Sequence, residues 1–183
     1  MKFHATPIQG LWEIETLPRG DARGSLTRLY CAEEFDAVHP GLRFVQVNHS
    51  VTGRRGTVRG LHFQRAPALE AKLVRCLRGH VFDVVVDLRV GSKTFARWHA
   101  VELSADNQRE VLIPPGCAHG FQTLADHSEL LYQHSAAYVP QCEDGVRHDD
   151  PRLAIAWPEP AVDLSQRDRG LPLLGAGFEG VVV

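Results

Sequence analysis

The chain has 183 residues, 44% of them hydrophobic, with 20 lysines and arginines against 22 acids and a net charge of −2. That size suits one domain over residues 1–183, and the near-neutral balance argues against general nucleic-acid binding, which shows as a basic excess. No apolar run approaches the ~20 residues of a membrane helix, and Met1-Lys2-Phe3-His4 opens without the apolar core of a signal peptide. Four widely spaced cysteines with no Cys-x-x-Cys pair are expected to be reduced cytosolic thiols, not a disulfide or zinc framework.

In chain order, residues 8–15 read as a first strand and 18–24, rich in Gly and Pro, as a turn. Residues 25–30 alternate, with Leu26, Arg28 and Tyr30 on one face. A short helix is expected over 32–38, stopped by Pro40-Gly41, and 44–48 alternate again. Next comes Arg54-Arg55-Gly56-Thr57-Val58-Arg59-Gly60-Leu61-His62-Phe63-Gln64. Strands are then expected over 72–77, the valine-rich 81–88, 98–103, 110–113, 120–124 and 129–134. Short strands about ten residues apart with little helix between them indicate an all-β sandwich or barrel, and eight or more indicate a jelly roll. The proline-rich tail from Val139 reads as ordered loop with one or two short helices. Residues 175–183 are a last edge strand or a frayed end.

Several residues have the types that acid–base chemistry uses. Arg59 is a fixed cation suited to a phosphate or carboxylate, and His62 exchanges a proton near neutral pH. Lys72, Tyr132, His119 and Asp168 are further candidate acids, bases or charge holders. Taken singly, Lys72 also reads as an exposed strand residue, Tyr132 as a core aromatic, and Asp168 as a helix cap or first-turn acid.

Pro114-Pro115-Gly116-Cys117-Ala118-His119 resembles the Pro-x-Gly-x-x-His turn of the cupin barrels. In metal-dependent cupins that histidine is a ligand and an earlier His-x-His supplies two more. Here the earlier position reads His62-Phe63-Gln64, and Glu70 is at best a third ligand. An amide replaces imidazole poorly, so no metal is expected.

The chain resembles the dTDP-4-dehydrorhamnose 3,5-epimerase family along nearly its whole length. The matching pieces include Asp21-Ala22-Arg23-Gly24, Gln46-Val47-Asn48-His49-Ser50, Val58-Arg59-Gly60-Leu61-His62-Phe63-Gln64 and Lys72-Leu73-Val74. They continue through Asp83-Val84-Val85-Val86-Asp87-Leu88-Arg89, Leu131-Tyr132, Tyr138 with Glu143, Trp157-Pro158, and Leu164-Ser165 with Asp168. The resemblance implies an all-β, cupin-type jelly-roll barrel with a few short helices. It also implies a cytoplasmic homodimer without metal or cofactor, acting on a nucleotide-linked 4-keto-6-deoxyhexose.

On that resemblance His62 is the base, Asp168 its orienting partner, Tyr132 the acid on the opposite face, and Lys72 the group that steadies the enolate. Arg23 and Arg59 are expected to hold the diphosphate, Gln46 and Asn48 to contact the nucleotide end, and Tyr138 to stack on the base. His119 and Glu143 also belong to the family's substrate site. The chain departs from the family pattern at Leu26, where an aromatic is common, at Arg28, where an acid is common, and at Arg167, where a lysine is common. Arg28 and Arg167 still count among the expected substrate contacts. The rival readings are a single-site epimerase, a sugar-nucleotide-binding cupin without turnover, and a metal-dependent oxygenase.

Overall fold

Alternating segments bounded by glycine turns form strands whose two faces meet different surroundings. The computed structural model describes residues 1–175 and 177–183. Its elements are β1 (Lys2–Ala5), β2 (Trp12–Glu15), β3 (Arg19–Asp21), β4 (Gly24–Leu26), α1 (Ala32–Asp36), β5 (Gln46–Thr52) and β6 (Val58–Gln64). There follow β7 (Lys72–Arg78), β8 (His80–Asp87), β9 (Trp98–Ser104), β10 (Arg109–Ile113), β11 (Cys117–Thr123) and β12 (Ser128–His134). A 3-10 turn over Pro140–Cys142, β13 (Glu143–Gly145) and α2 (Gln166–Arg169) complete the set.

A six-stranded sheet in the order β1-β2-β10-β7-β12-β5 faces a five-stranded sheet in the order β13-β6-β11-β8-β9. The ladders between these strands are antiparallel. This is the all-β jelly roll that the strand spacing implied. Between the sheets pack Val74, Cys76, Val111, Ile113 and Leu130 from one side and Val81, Val85, Val101, Leu103 and Phe121 from the other.

Both outer faces are covered too. Phe35 of α1 and Leu42 seal Ile14, Leu73 and Leu112. The C-terminal tail lays Val146, Leu153 and Leu174 on Leu61, Phe63, Val84 and Val86. Strands buried on both faces lose the polar half of the alternation, which is why β8 reads as a run of valines.

Several boundaries differ from the sequence reading. The strand expected over 8–15 shrinks to β2, because Ile8 and Leu11 are core side chains on a turn closed by the Leu11 N–H to Ile8 O and by Thr6. β1 went unread, as did β13, whose Glu-Asp-Gly carries no apolar residue and pairs only with β6. Residues 18–24 are not merely a turn, since β3 and β4 form a separate exposed hairpin. The strand expected over 25–30 stops at Leu26, and Tyr30 packs instead on Phe35 and Phe44. Within 175–183, Val181 makes a parallel bridge to Arg89, and Ala176 lies outside the described residues.

β6 is irregular in a way that shapes the site. His62 pairs with His119 and Arg59 pairs with Phe121, so Gly60 and Leu61 of β6 stand opposite the single Gly120 of β11. The bulge lies at Gly60, whose φ is +117°. A Cβ there would sit 2.6 Å from Gly120 Cα and 2.7 Å from His119 O, so only glycine fits between the strands.

Candidate active site

The barrel interior divides along its strands. On β7, Val74 and Cys76 join the core while Lys72 faces open space; on β12, Leu130 joins the core while Tyr132 and His134 face that space. The result is a cavity of about 1310 Å³ between the sheets. Residues three apart on a regular strand point to opposite faces. The bulge at Gly60 turns both Arg59 and His62 into the cavity.

His62 is held by α2. Ser165 caps the helix by accepting from the Asp168 N–H at 3.0 Å, which leaves the Asp168 side chain free to point at β6. The cap is therefore Ser165, and Asp168 is a first-turn acid whose side chain faces His62. His62 Nε2 lies 2.7 Å from Asp168 Oδ1, and the Gly60 N–H donates to Oδ2 at 3.2 Å. A carboxylate only accepts, so Nε2 carries the proton and Nδ1 keeps the lone pair. Arg167 Nη2 sits 2.7 Å from Nε2 and 3.2 Å from Nδ1, its Nε 3.3 Å from Asp168 Oδ1, and its Nη1 2.8 Å from Glu143 Oε1.

Asp168 is 2% exposed. Burial alone would raise its pKa, but the hydrogen bond and charge of His62, the Gly60 N–H and Arg167 outweigh it and hold the carboxyl at about 2, below the usual 3.8. A depressed carboxylate contributes stability that is complete above its unfolded pKa and lost as pH falls through its folded one. Between pH 3.8 and about 2 the wild type is therefore expected to lose on the order of 2 kcal/mol that Asp168→Asn does not lose. Urea midpoints measured against pH for both proteins check this; parallel curves would remove the ion pair.

The opposite wall carries Tyr132, whose ring meets His119 edge-on at 5.8 Å and stacks with His134 at 6.1 Å. Burial, together with the charge of Asp83, pushes its phenol well above the usual value and keeps it protonated. His119 is buried, with Nε2 2.8 Å from Asp83 Oδ2. Lys72, also buried, reaches Glu70 Oε1 at 3.2 Å, and His134 Nδ1 reaches Glu70 Oε2 at 2.7 Å. Burial would raise the Glu70 carboxyl, yet His134 and Lys72 together hold it below its ordinary value.

The remaining wall is tied down by amides and by Arg59. Arg59 donates to Thr52 Oγ1 at 3.0 Å. Gln46 accepts from the Tyr138 N–H at 2.9 Å and donates to Asn48 at 3.3 Å. The Tyr138 hydroxyl donates to Glu143 at 2.8 Å, leaving the ring half exposed at the cavity mouth. Gln64, where metal-dependent cupins have histidine, clamps the chain either side of Tyr138 through Val139 N and Ala137 O. Among the described residues no three His, Cys, Asp or Glu side chains converge to hold a metal, and Glu70 turns to Lys72 and His134 instead.

The cavity thus gathers His62, Tyr132, Asp168, Lys72, Gln46, Asn48, Arg59, His119, Tyr138, Glu143 and Arg167. Two expected contacts fall outside it. Arg23 lies at the tip of the exposed β3–β4 hairpin, bound to Asp21 at 2.6 Å. Arg28 is exposed and bound to Glu34 at 2.8 Å. Each has a local carboxylate that satisfies it on the outside of the barrel. The sequence reading missed Asp83 and His134. A lone acid in a valine run and a histidine two residues after Tyr132 on one strand were the available signals.

The dTDP-4-dehydrorhamnose 3,5-epimerase family matches residues 5–176. A Streptomyces niveus protein named dTDP-4-dehydrorhamnose 3-epimerase is 43% identical over 95% of this chain and 84% of its own length. The dTDP-4-dehydrorhamnose 3,5-epimerase of Salmonella typhimurium is 41% identical over 92% of this chain and 93% of its own. Among solved structures, the Legionella pneumophila dTDP-6-deoxy-D-glucose-3,5-epimerase in complex with dTDP-4-keto-L-rhamnose superposes with a TM-score of 0.90. It is 38% identical and covers 97% of this chain and 96% of that one. An antiparallel jelly roll with a histidine, paired to an aspartate, and a tyrosine on facing sheets, and a match over nearly all of its length, place this chain in the dTDP-4-dehydrorhamnose 3,5-epimerase family.

Proposed function

We propose that this chain epimerises a dTDP-linked 4-keto-6-deoxyhexose at C3 and C5, converting dTDP-4-dehydro-6-deoxyglucose to dTDP-4-dehydrorhamnose. The observation that carries this reading is His62 on the five-stranded sheet, paired with Asp168 of α2 and set in one cavity with Tyr132 on the six-stranded sheet. A carbon beside the C4 ketone holds a weakly acidic proton. His62 takes it through Nδ1, the C–H electron pair moves into the new carbon–carbon double bond, and charge appears on the former ketone oxygen. Asp168 stabilises the imidazolium.

Lys72 meets the enolate oxygen, as a preorganised donor worth about 2.7–4 kcal/mol. Tyr132 then gives its proton to the other face of the carbon, and solvent restores it; a phenol held protonated suits that task. The carbonyl of the substrate is the electron sink and no atom changes oxidation state overall, so the chemistry calls for no redox cofactor. Arg59 and Arg167 offer charge to the diphosphate, His119 and Glu143 line the sugar's surroundings, and Gln46, Asn48 and Tyr138 receive the nucleoside.

We read the chain as a cytoplasmic homodimer. Val45, Val47 and Val51, at and beside the open edge strand β5, are 65%, 60% and 55% exposed, an apolar edge that a second copy would cover. All four cysteines are free, which suits a reducing compartment, and among the described residues no helix is long and apolar enough to cross a membrane.

The 3-epimerase name of the Streptomyces niveus relative keeps a second reading open, inversion at C3 alone. Incubation with dTDP-4-keto-6-deoxyglucose in D₂O, followed by NMR, separates the two. Deuterium at both C3 and C5 with the L-configured product is expected. Label and inverted configuration at C3 alone would establish a single epimerisation, and no label at either carbon would sink the epimerase assignment.

A further inference from the structure

We propose that Glu70 is a positioning residue for the reaction, holding the Lys72 ammonium through one carboxylate oxygen while His134 holds the other. Glu70 precedes Lys72, the first residue of β7, by two positions, and both side chains line the cavity. Lys72 lies directly opposite His134 in the β7–β12 register. The pairing continues one step further, with Ser135 N donating to Ala71 O at 3.0 Å and Ala71 N to Ser135 Oγ at 2.7 Å, so Glu70 is anchored where the ladder ends. The three side chains are 11%, 7% and 12% exposed for Lys72, Glu70 and His134.

A buried ammonium without a counter-charge is strongly disfavoured, and a carboxylate can accept at both oxygens. Here each oxygen has a different partner, at 3.2 Å and 2.7 Å, which fixes the carboxylate plane and with it the place of the Lys72 nitrogen. His134 is itself braced, because its Nε2 lies 3.3 Å from the Asn48 amide nitrogen and Asn48 Oδ1 accepts from Gln46. One wall of the cavity therefore links the cation that would meet the enolate to the amides at the nucleotide end.

The inference rests on Lys72 being the enolate's partner, and the test separates the two claims. kcat, KM and dTDP affinity are measured for wild type, E70Q, K72M and the double variant, with thermal melts to confirm folding. In E70Q, kcat is expected to fall about tenfold or more, the worth of one charged hydrogen bond, with KM and dTDP affinity within a few-fold. Because Glu70 acts through Lys72, adding E70Q to K72M should produce no further loss.

An E70Q kcat equal to wild type beside an inactive K72M would overturn the inference alone. Losses that multiply in the double variant would do the same, since Glu70 would then act by another route. A fully active K72M would remove the Lys72 assignment and this inference with it. If E70Q fails to fold, H134N, which frees one Glu70 oxygen, serves in its place. Its kcat should drop by about threefold, less than one full hydrogen bond, and only when Lys72 is present; an unchanged kcat overturns the inference.

Discussion

Deuterium uptake at both C3 and C5 is expected to fall by roughly 10²–10⁴-fold in His62→Asn, the range over which a positioned acid or base accelerates proton transfer, while dTDP affinity stays within a few-fold. The shorter asparagine amide does not reach the place from which Nε2 meets Asp168, but the Gly60 N–H still donates to that carboxylate and keeps a tie between α2 and β6. What the amide lacks is a lone pair basic enough to take a proton near neutral pH. One imidazole serving two carbons on one face explains why both exchange reactions should fail together. NMR exchange rates with calorimetric dTDP binding check this, and normal uptake at either carbon would exclude His62 as the base for that carbon.

Tyr132→Phe separates removal of a proton from its return. The substitution deletes one oxygen and leaves the ring between His119 and His134. Net inversion should fall by about 10²-fold or more, while exchange at one carbon persists because His62 can return the proton it took. Label without inversion is the expected signature, read by comparing deuterium content with product configuration. Exchange and inversion falling in parallel would mean that Tyr132 acts in the first step or is not the acid.

Much of the jelly roll was legible because β7 through β12 each carry alternation or β-branched runs between glycine turns. β6 was not, since its bulge breaks the period of two that identifies a strand. β1 and β13 escaped for another reason: short edge strands take their identity from a partner elsewhere in the chain. The acid–base residues were legible through the family resemblance, and the cavity gathers them.

Their carboxylate partners were harder. Asp83 stands 36 residues from His119, and Glu70 64 residues from His134, distances that only the sheet register closes. Arg23 and Arg28 show the converse. The resemblance gave Arg23 to the diphosphate and counted Arg28 among the substrate contacts, but within this chain they pair with Asp21 two residues away and Glu34 six residues away.

The two-for-one pairing at Gly60 and Leu61 has a consequence for deletion. Removing Leu61 would restore an even ladder between β6 and β11. Arg59 and His62 would then stand two apart in a regular strand, the spacing that already puts two side chains on one face. What the deletion would remove is Leu61 itself, which exchanges both backbone hydrogen bonds with Val146, at 3.1 and 3.0 Å, and packs under Leu153 and Leu174 of the C-terminal tail. The extra residue is therefore what docks the tail carrying Asp168 onto β6 while Arg59 and His62 both keep the cavity face.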